Sequence, residues 1–487
     1  MPRPGTDVLI VDDAVPSGAI LDTGQAFFAG TSERGPTDRA LKVKSLKDYG
    51  SKYGGRSGGS LMYDSVGAYF AEGGGTLYCS RITGGDAVAA TGAFGSLTVN
   101  AASPGAWGND LTVTAEAPAT LSEQLRADLL AAGDPIVAVV ALDDINMERS
   151  PVCATADDLV AWATNSSLLV RFVKGADNLV PAAGTAAALT TGADGTAALT
   201  QDNIDAALAR FEYALGPGQV ACPGLTSDIA HTALCGHVDA MRRCALLDLP
   251  DSGDPTVLGA SVAVLQAPVA GVRFCAAFAP WAEYPGSVSP AIVTIPYSGI
   301  QAGLIARADA AGNPNDPAAG VNGISRYAVG LSQAFTDDQR EALNEAGVCM
   351  AKDVRGQIET YGYRTAAGPD DTLWLWFGNS RVIMAIAYQC DAIAENYVLR
   401  QIDGRRQLFA KLETQLRGVL LTYYNAGALY GETPAEAFSV DTGETVNTIE
   451  TIAAGEIHAV IRVRCSPAGE WVVIEIVKVP VERALAA

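Results

Sequence analysis

The chain has 487 residues, with 33 basic against 54 acidic side chains and a formal net charge of −21. At roughly 100–200 residues per domain this length holds two to four folded units; a field of that sign repels phosphate backbones and anionic membranes, which excludes nucleic acid as a main partner. Hydrophobic residues make up 49% and charged ones only 18%, so the composition opposes disorder and describes a folded chain that commits much of its surface to contacts.

In chain order, Asp7-Val8-Leu9-Ile10-Val11 is a β-prone run ahead of the turn Pro16-Ser17-Gly18, an N-terminal strand that needs a sheet to join. Residues 25–30 read as a buried strand, 60–72 as a helix stopped by Gly73-Gly74-Gly75, and 76–82 as the next strand, so the opening is β–α–β. From residue 93 the texture changes: strand-like 96–100 and 111–114 flank the loop Ser103-Pro104-Gly105-Ala106-Trp107-Gly108-Asn109, and an Ala-, Thr- and Gly-rich stretch follows. Residues 93–199 are therefore expected to form an inserted domain.

The α/β rhythm resumes with Thr200-x-x-Asn203 capping a helix to Phe211, strand 220–222, a helix over 227–243, and strands 245–249 and 273–278. Strands alternating with helices predict a largely parallel sheet with right-handed crossovers. The uncharged span Tyr284 to Ala306 contains Pro285, Pro290 and Pro296 and reads as strands and turns, not a membrane-crossing helix. Thr336-x-x-Gln339 is a capping box for a helix ending at Gly347, before strand 348–350. Leu408, Leu412, Leu416, Val419, Leu420 and Tyr423 recur at helical spacing, and Thr433-Pro434-Ala435-Glu436 marks another helix start. Residues 457–465 then alternate as a strand. After a turn, Trp471 to Val479 is apolar on nearly both faces, an aggregation hazard if its edges stay open.

Reactive chemistry is scarce. Nine scattered cysteines, with no C-x-x-C, read as free thiols made in a reducing cytoplasm, and the first residues lack the apolar run of a secretory signal. The three histidines include His231 and His237, six apart and so about 240° around a helix, unable to chelate one metal. Gly55-Arg56-Ser57-Gly58-Gly59 matches G-x-S-x-G, the pattern of a hydrolase nucleophile, but the residues before it are polar and glycine-rich where the elbow needs a buried strand. Residues 309–316 lack calcium-loop spacing and read as a surface loop. No catalytic residue, metal or cofactor is assigned. One segment opposes the bulk charge: Arg400, Arg405, Arg406, Lys411 and Arg417 against Asp403 and Glu413. It is either a solvated helix face or a basic patch for an acidic partner.

Taken in order, several segments resemble the contractile tail sheath family of bacteriophages and related injection machines. They are Pro4-Gly5 before the first strand, Phe28-Ala29-Gly30 with Arg34-Gly35-Pro36, the Trp107 loop through Leu111, Ser298-Gly299 with Ala302-Gly303 and Arg307-x-Asp309, Tyr363-Arg364-Thr365, and Asn379-Ser380-Arg381. The closing run is the clearest: Asn425 to Gly431, Thr433-Pro434-x-Glu436-x-Phe438, Asn447-Thr448, Gly455, and Pro467-Ala468 before Glu470-Trp471. Residues 312–323 and Gly469 depart from the pattern.

The resemblance implies a multidomain α/β subunit. Its parts are a mixed, largely parallel α/β core domain (29–92 and 200–371), an α+β inner domain built from both chain termini (1–28 and 372–487), and a β-rich outer insertion (93–199). It implies a non-enzymatic polymer of stacked six-fold rings around a tail tube protein, with baseplate and neck or terminator proteins as further partners and no membrane insertion. Contraction would drive the tube into the target cell for genome ejection, and the setting would be a virion assembled in the host cytoplasm. A cellular injection system is the alternative within the family, and an α/β hydrolase using Ser57 the alternative outside it. The residues expected to exchange between subunits are Val8, Leu9, Ile10 and Val11 at the N-terminus and Trp471, Val472, Val473, Ile474, Ile476 and Val477 at the C-terminus. Arg400, Arg405, Arg406, Lys411 and Arg417 are the expected tube contacts.

Overall fold

The computed structural model describes residues 21–57, 59–118, 134–195, 197–266, 269–288 and 291–470. Its largest element is an eight-stranded sheet in the order Gln357–Thr360, Val348–Val354, Cys275–Ala279, Cys244–Asp248, Gln219–Ala221, Ala26–Gly30, Leu77–Arg81, Leu41–Val43. The six inner strands run parallel, and each edge strand is antiparallel to its neighbour. Ala26–Gly30, Cys244–Asp248 and Cys275–Ala279 are buried throughout, as expected of parallel strands covered on both faces. Residues 26–28, which the domain boundary at 28 places in the inner unit, lie instead within the Ala26–Gly30 strand near the middle of this sheet.

The span 284–306 corrects the sequence expectation. Short strands at Ala282–Pro285 and Ile292–Ile295 are present, but Pro296 then caps a fifteen-residue helix, Tyr297–Ala311. Eleven of its residues are buried, so it has no polar face and no 3.6-residue periodicity to reveal it. It packs against helix Met62–Glu72 at very short range. A Cβ on Gly299 would come within 2.7 Å of the Ser65 carbonyl oxygen, and one on Gly303 within 2.7 Å of that of Tyr69.

Residues from Val88 to Ala193 carry a separate apolar core, around Leu111, Val113, Val140, Phe94 and Phe172. It lies between a four-stranded and a three-stranded sheet and includes helix Ala156–Asn165, started by a Thr155–Asp158 capping box. Arg81 at the end of a central strand ties this unit down: Nη1 donates to Pro104 O (2.7 Å) and Ser103 Oγ (3.1 Å), while Nε and Nη2 donate to Ser32 O and Glu33 O.

A third core holds the C-terminal helices Phe377–Glu395 and Gln407–Asn425 and a two-stranded hairpin. The second helix buries Phe409, Leu412, Leu416, Leu420 and Tyr423, the stripe its sequence spacing predicts. The first helix is shared: Phe377 and Met384 pack into the sheet's core, while Val382, Ala385 and Ile386 pack into this one.

The helix contact makes a prediction. Gly299→Val or Gly303→Val drives a branched side chain into backbone and is expected to lower stability by about 1–3 kcal/mol. Gly236→Ala, in a helix with open space around the new Cβ, is expected to raise it by up to about 1 kcal/mol. Urea unfolding of the three variants checks both directions.

Candidate assembly interface

The segments expected to exchange, Val8–Val11 and Trp471–Val477, lie outside the described residues. What the structure describes is the hairpin and the residues that adjoin both segments in sequence.

Phe438–Asp441 pairs antiparallel with Val460–Val463, Phe438 opposite Val463 and Val440 opposite Ile461. Phe438 and Val440 are buried against the C-terminal helices. The long connection between the strands is closed by buried Asn447, whose Nδ2 donates to Thr442 O (3.0 Å) and His458 O (2.7 Å) while Oδ1 accepts from the His458 N–H (2.7 Å). Among the described residues no third strand pairs with either edge of this sheet. Its apolar face packs on the helices, which supplies the support that an isolated two-stranded hairpin lacks.

Beside the hairpin is a cleft of about 860 Å³ between the two C-terminal helices, floored by Leu412, Leu416, Ile457 and Ile461 and carrying the charges of Arg242, Asp391 and Arg400. Val398 and Leu399 on the connecting loop, also part of its wall, are exposed, and Leu399 holds a left-handed backbone (φ 60°).

The basic segment is not one continuous face. Arg406 Nη2 donates to Thr442 O (2.7 Å), Nη1 lies 3.7 Å from Glu444, and the guanidinium sits 5.0 Å from the centre of the Phe409 ring. Arg417 lies over Phe438 (5.7 Å), and Arg400 Nε donates to Asn396 O (3.0 Å). Arg400, Arg405, Lys411 and Arg417 are all exposed, and Arg406 is half-buried. Lys411 and Arg417, six residues apart, lie about 120° apart around their helix.

The hydrolase arrangement is overturned. Ser57 follows helix Leu46–Tyr53, not a strand. His231 is buried and its Nε2 faces Asp248 O (3.0 Å); His237 pairs with Arg243 Nη1 (3.1 Å), and His458 with Glu456. None of the three bonds Ser57 among the described residues. The crevice at the carboxyl ends of the strands, where open α/β sheets take ligands, is filled: Met62 packs on Gly30 and Leu61 on Gly224. Asp248 is buried there and accepts from Ser298 Oγ (2.6 Å), Ser298 N (2.8 Å) and Gly224 N (3.1 Å). Burial pushes its carboxyl up to about 6 in spite of these donors. All nine cysteines are free, and among the described residues no cluster of three metal-ligating side chains forms.

Residues 309–316 are not the surface loop that the sequence predicts. Asp309 forms a buried ion pair with Arg381. Asn313 Nδ2 donates to Ala426 O (3.0 Å), and Asn315 Nδ2 to Ala428 O (3.2 Å) and Ser466 O (2.8 Å). At the last described residue, Glu470 accepts from Arg364 Nε (3.0 Å) and Nη2 and from Asn344 Nδ2 (2.9 Å). Composition alone gives no hint of these ties, although Asp309, Arg364 and Arg381 all fall in segments that carry the family resemblance.

Compared with known proteins, the chain matches no protein-family model and no curated protein sequence. Solved structures do match. A sheath tail protein of Desulfitobacterium hafniense aligns over 90% of this chain and 93% of its own, at 17% identity and TM-score 0.56. One of Listeria innocua aligns over 89% and 91%, at 14% identity and TM-score 0.61. The helical sheath of the anti-feeding prophage in its contracted state aligns over 98% and 99%, at 15% identity and TM-score 0.56. The chain thus has the fold of contractile-sheath proteins over nearly its whole length.

The buried histidine makes a pH prediction. Burial and the neighbouring Arg243 cation hold the His237 imidazole down to about 3. Between its ordinary value near 6.5 and 3, the unfolded chain takes up a proton that the native state refuses, so stability falls with acid. The slope approaches about 1.4 kcal/mol per pH unit. His237→Gln is expected to remove that slope, and urea midpoints of variant and parent at pH 7 and pH 4.5 measure the difference. Asp248 acts in the opposite sense, since its contribution is lost as pH rises towards 6, and it cancels in the comparison.

Proposed function

We propose that this chain is the structural subunit of a contractile sheath, with no catalytic role. The observation that carries this is the shared fold with sheath proteins across 89–98% of the chain and 91–99% of theirs. The three separate apolar cores support a division into an α/β core unit, an outer insertion and an inner unit. Subunits stack as six-fold rings around a tail tube, bounded by baseplate and neck proteins, and rearrange from an extended, kinetically trapped lattice to a shorter and wider one. Repacking of rigid bodies supplies the work, without nucleotide. The baseplate partnership is supported by a likeness to a structure titled as the anti-feeding prophage baseplate in its contracted state.

The links between subunits are exchanged strands. The hairpin edges left unpaired among the described residues are the receiving surface, and strand addition there extends the sheet. Val8–Val11 suits the neighbouring cleft: four apolar residues flanked by Asp7, Asp12 and Asp13, opposite the Arg242 and Arg400 cations. Trp471 to Val477 of another copy adds to the opposite edge. Arg405, Lys411 and Arg417 are the exposed cations available to meet an acidic tube, with Arg406 paired within the subunit and Arg400 at the cleft.

The particle is read as a phage tail driving genome ejection into the host. Coverage of 98% on both sides with an extracellular contractile injection system sheath, titled PVC, favours a cellular injection machine as the second reading. The subunit's role is the same in either.

Deleting residues 6–11 or 471–479 is expected to leave soluble subunits that form no long tubes; normal tubes from both truncations, seen by negative-stain microscopy, would refute strand exchange. Arg405→Glu with Lys411→Glu is expected to spare sheath self-assembly and to reduce co-sedimentation with tube protein. Unchanged co-sedimentation would remove these residues from the tube interface.

A further inference from the structure

The roots of the two terminal segments are joined inside the subunit. Thr23 is buried three residues ahead of the Ala26–Gly30 strand. Its Oγ1 donates to Asp309 Oδ2 (2.6 Å), and its carbonyl accepts from Gln219 Nε2 (2.7 Å). The chain passes so close to helix Tyr297–Ala311 that a Cβ on Gly24 would lie 3.0 Å from the Ala306 Cα. Asp309 Oδ2 also takes Arg381 Nη2, and Arg381 Nη1 donates to Pro314 O (2.9 Å). The next residue, Asn315, donates to Ser466 O (2.8 Å). Four residues on, Glu470 is gripped through two nitrogens of Arg364.

A path of directional, mostly buried contacts therefore runs from Thr23 through Asp309, Arg381 and the Pro314-Asn315 backbone to Ser466. It does not pass through the apolar interior of the sheet. The distinction matters under load. Apolar surfaces resist separation but are non-directional, so they slide under shear. Hydrogen bonds to charged groups have preferred lengths and angles, and removing one partner leaves the other buried and unsatisfied. Such contacts hold register where a pull is tangential.

We propose that Thr23, Asp309, Arg381 and Asn315, extended by Arg364 at Glu470, are positioning residues that form one polar tie between the two arm roots. Tension arriving on one arm passes through this tie to the other, which makes consecutive subunits a continuous chain. The proposal rests on the strand-exchange reading above and adds where the force travels within each subunit.

The test compares sheath tubes assembled from full-length protein carrying Thr23→Val, Glu470→Gln or both with tubes of the parent. Ser80→Ala serves as a matched control, since it deletes a buried hydroxyl donating to Ala207 O (2.8 Å) outside the tie. Tube length after controlled shear is scored by microscopy, and subunit melting temperature is recorded alongside. The expected result is normal assembly with fragmentation about two- to tenfold faster in the tie variants; the control fragments like the parent. Equal fragmentation of tie variants and parent, or equal acceleration in Ser80→Ala, overturns the tie while leaving the sheath reading intact. Failure of the parent protein to form tubes at all overturns that reading and the tie together.

Discussion

Helix Phe377–Glu395 belongs to two apolar cores at once, and much of the fold's rigidity follows from that. Phe377 and Met384 are buried with the sheet, and Val382, Ala385 and Ile386 with the C-terminal helices. Turning one unit against the other would expose large side chains on both sides of one rod, at about 1.5–3 kcal/mol for each. Arg381, on the same helix, adds a buried charge that cannot be left without Asp309. The insertion from Val88 to Ala193 is built differently. Its core is its own, and Arg81 reaches it from the end of a central strand.

Two interior carboxylates join distant elements of this α/β fold. Glu72 is fully enclosed and accepts from Ser325 Oγ, Tyr284 OH and the backbone N–H groups of Arg326 and Tyr327, with Arg307 beside it. Asp248 is held by Ser298 and Gly224 where a ligand would otherwise sit. In each case the donors come from segments distant in sequence, so the charged group joins elements of the fold and presents no lone pair to solvent.

What could be foreseen from sequence rested on apolar pattern, a short unbroken run for a strand and a one-sided stripe for a helix. The parallel strands and helix Gln407–Asn425 announce themselves through apolar runs and a clean stripe. The Thr200–Asn203 and Thr336–Gln339 pairs are capping boxes in the structure as their spacing predicts. Helix Tyr297–Ala311 escapes because burial on all sides erases periodicity, and the prolines around it suggest turns although Pro296 is its cap. Residues 309–316 mislead for the converse reason. Asp and Asn in a Gly/Pro context look solvated, yet here the Asn amides donate to carbonyls, and Asp309 accepts from Thr23 and Arg381, partners that only the tertiary fold brings near. Arg405 and Arg406 are adjacent in sequence and differ in fate, a difference set by Thr442 and Glu444 thirty-odd residues away.

Among the described residues the hairpin Phe438–Asp441 with Val460–Val463 has two strands, and a third strand added by another copy, as proposed above, would have a thermodynamic consequence. A domain that finishes its sheet alone has a stability independent of how many copies surround it. A sheet completed only by another copy draws part of its stability from mass action, so its effective stability rises with the logarithm of subunit concentration. Under the proposed strand exchange, the hairpin would convert the amount of protein made into a threshold for building.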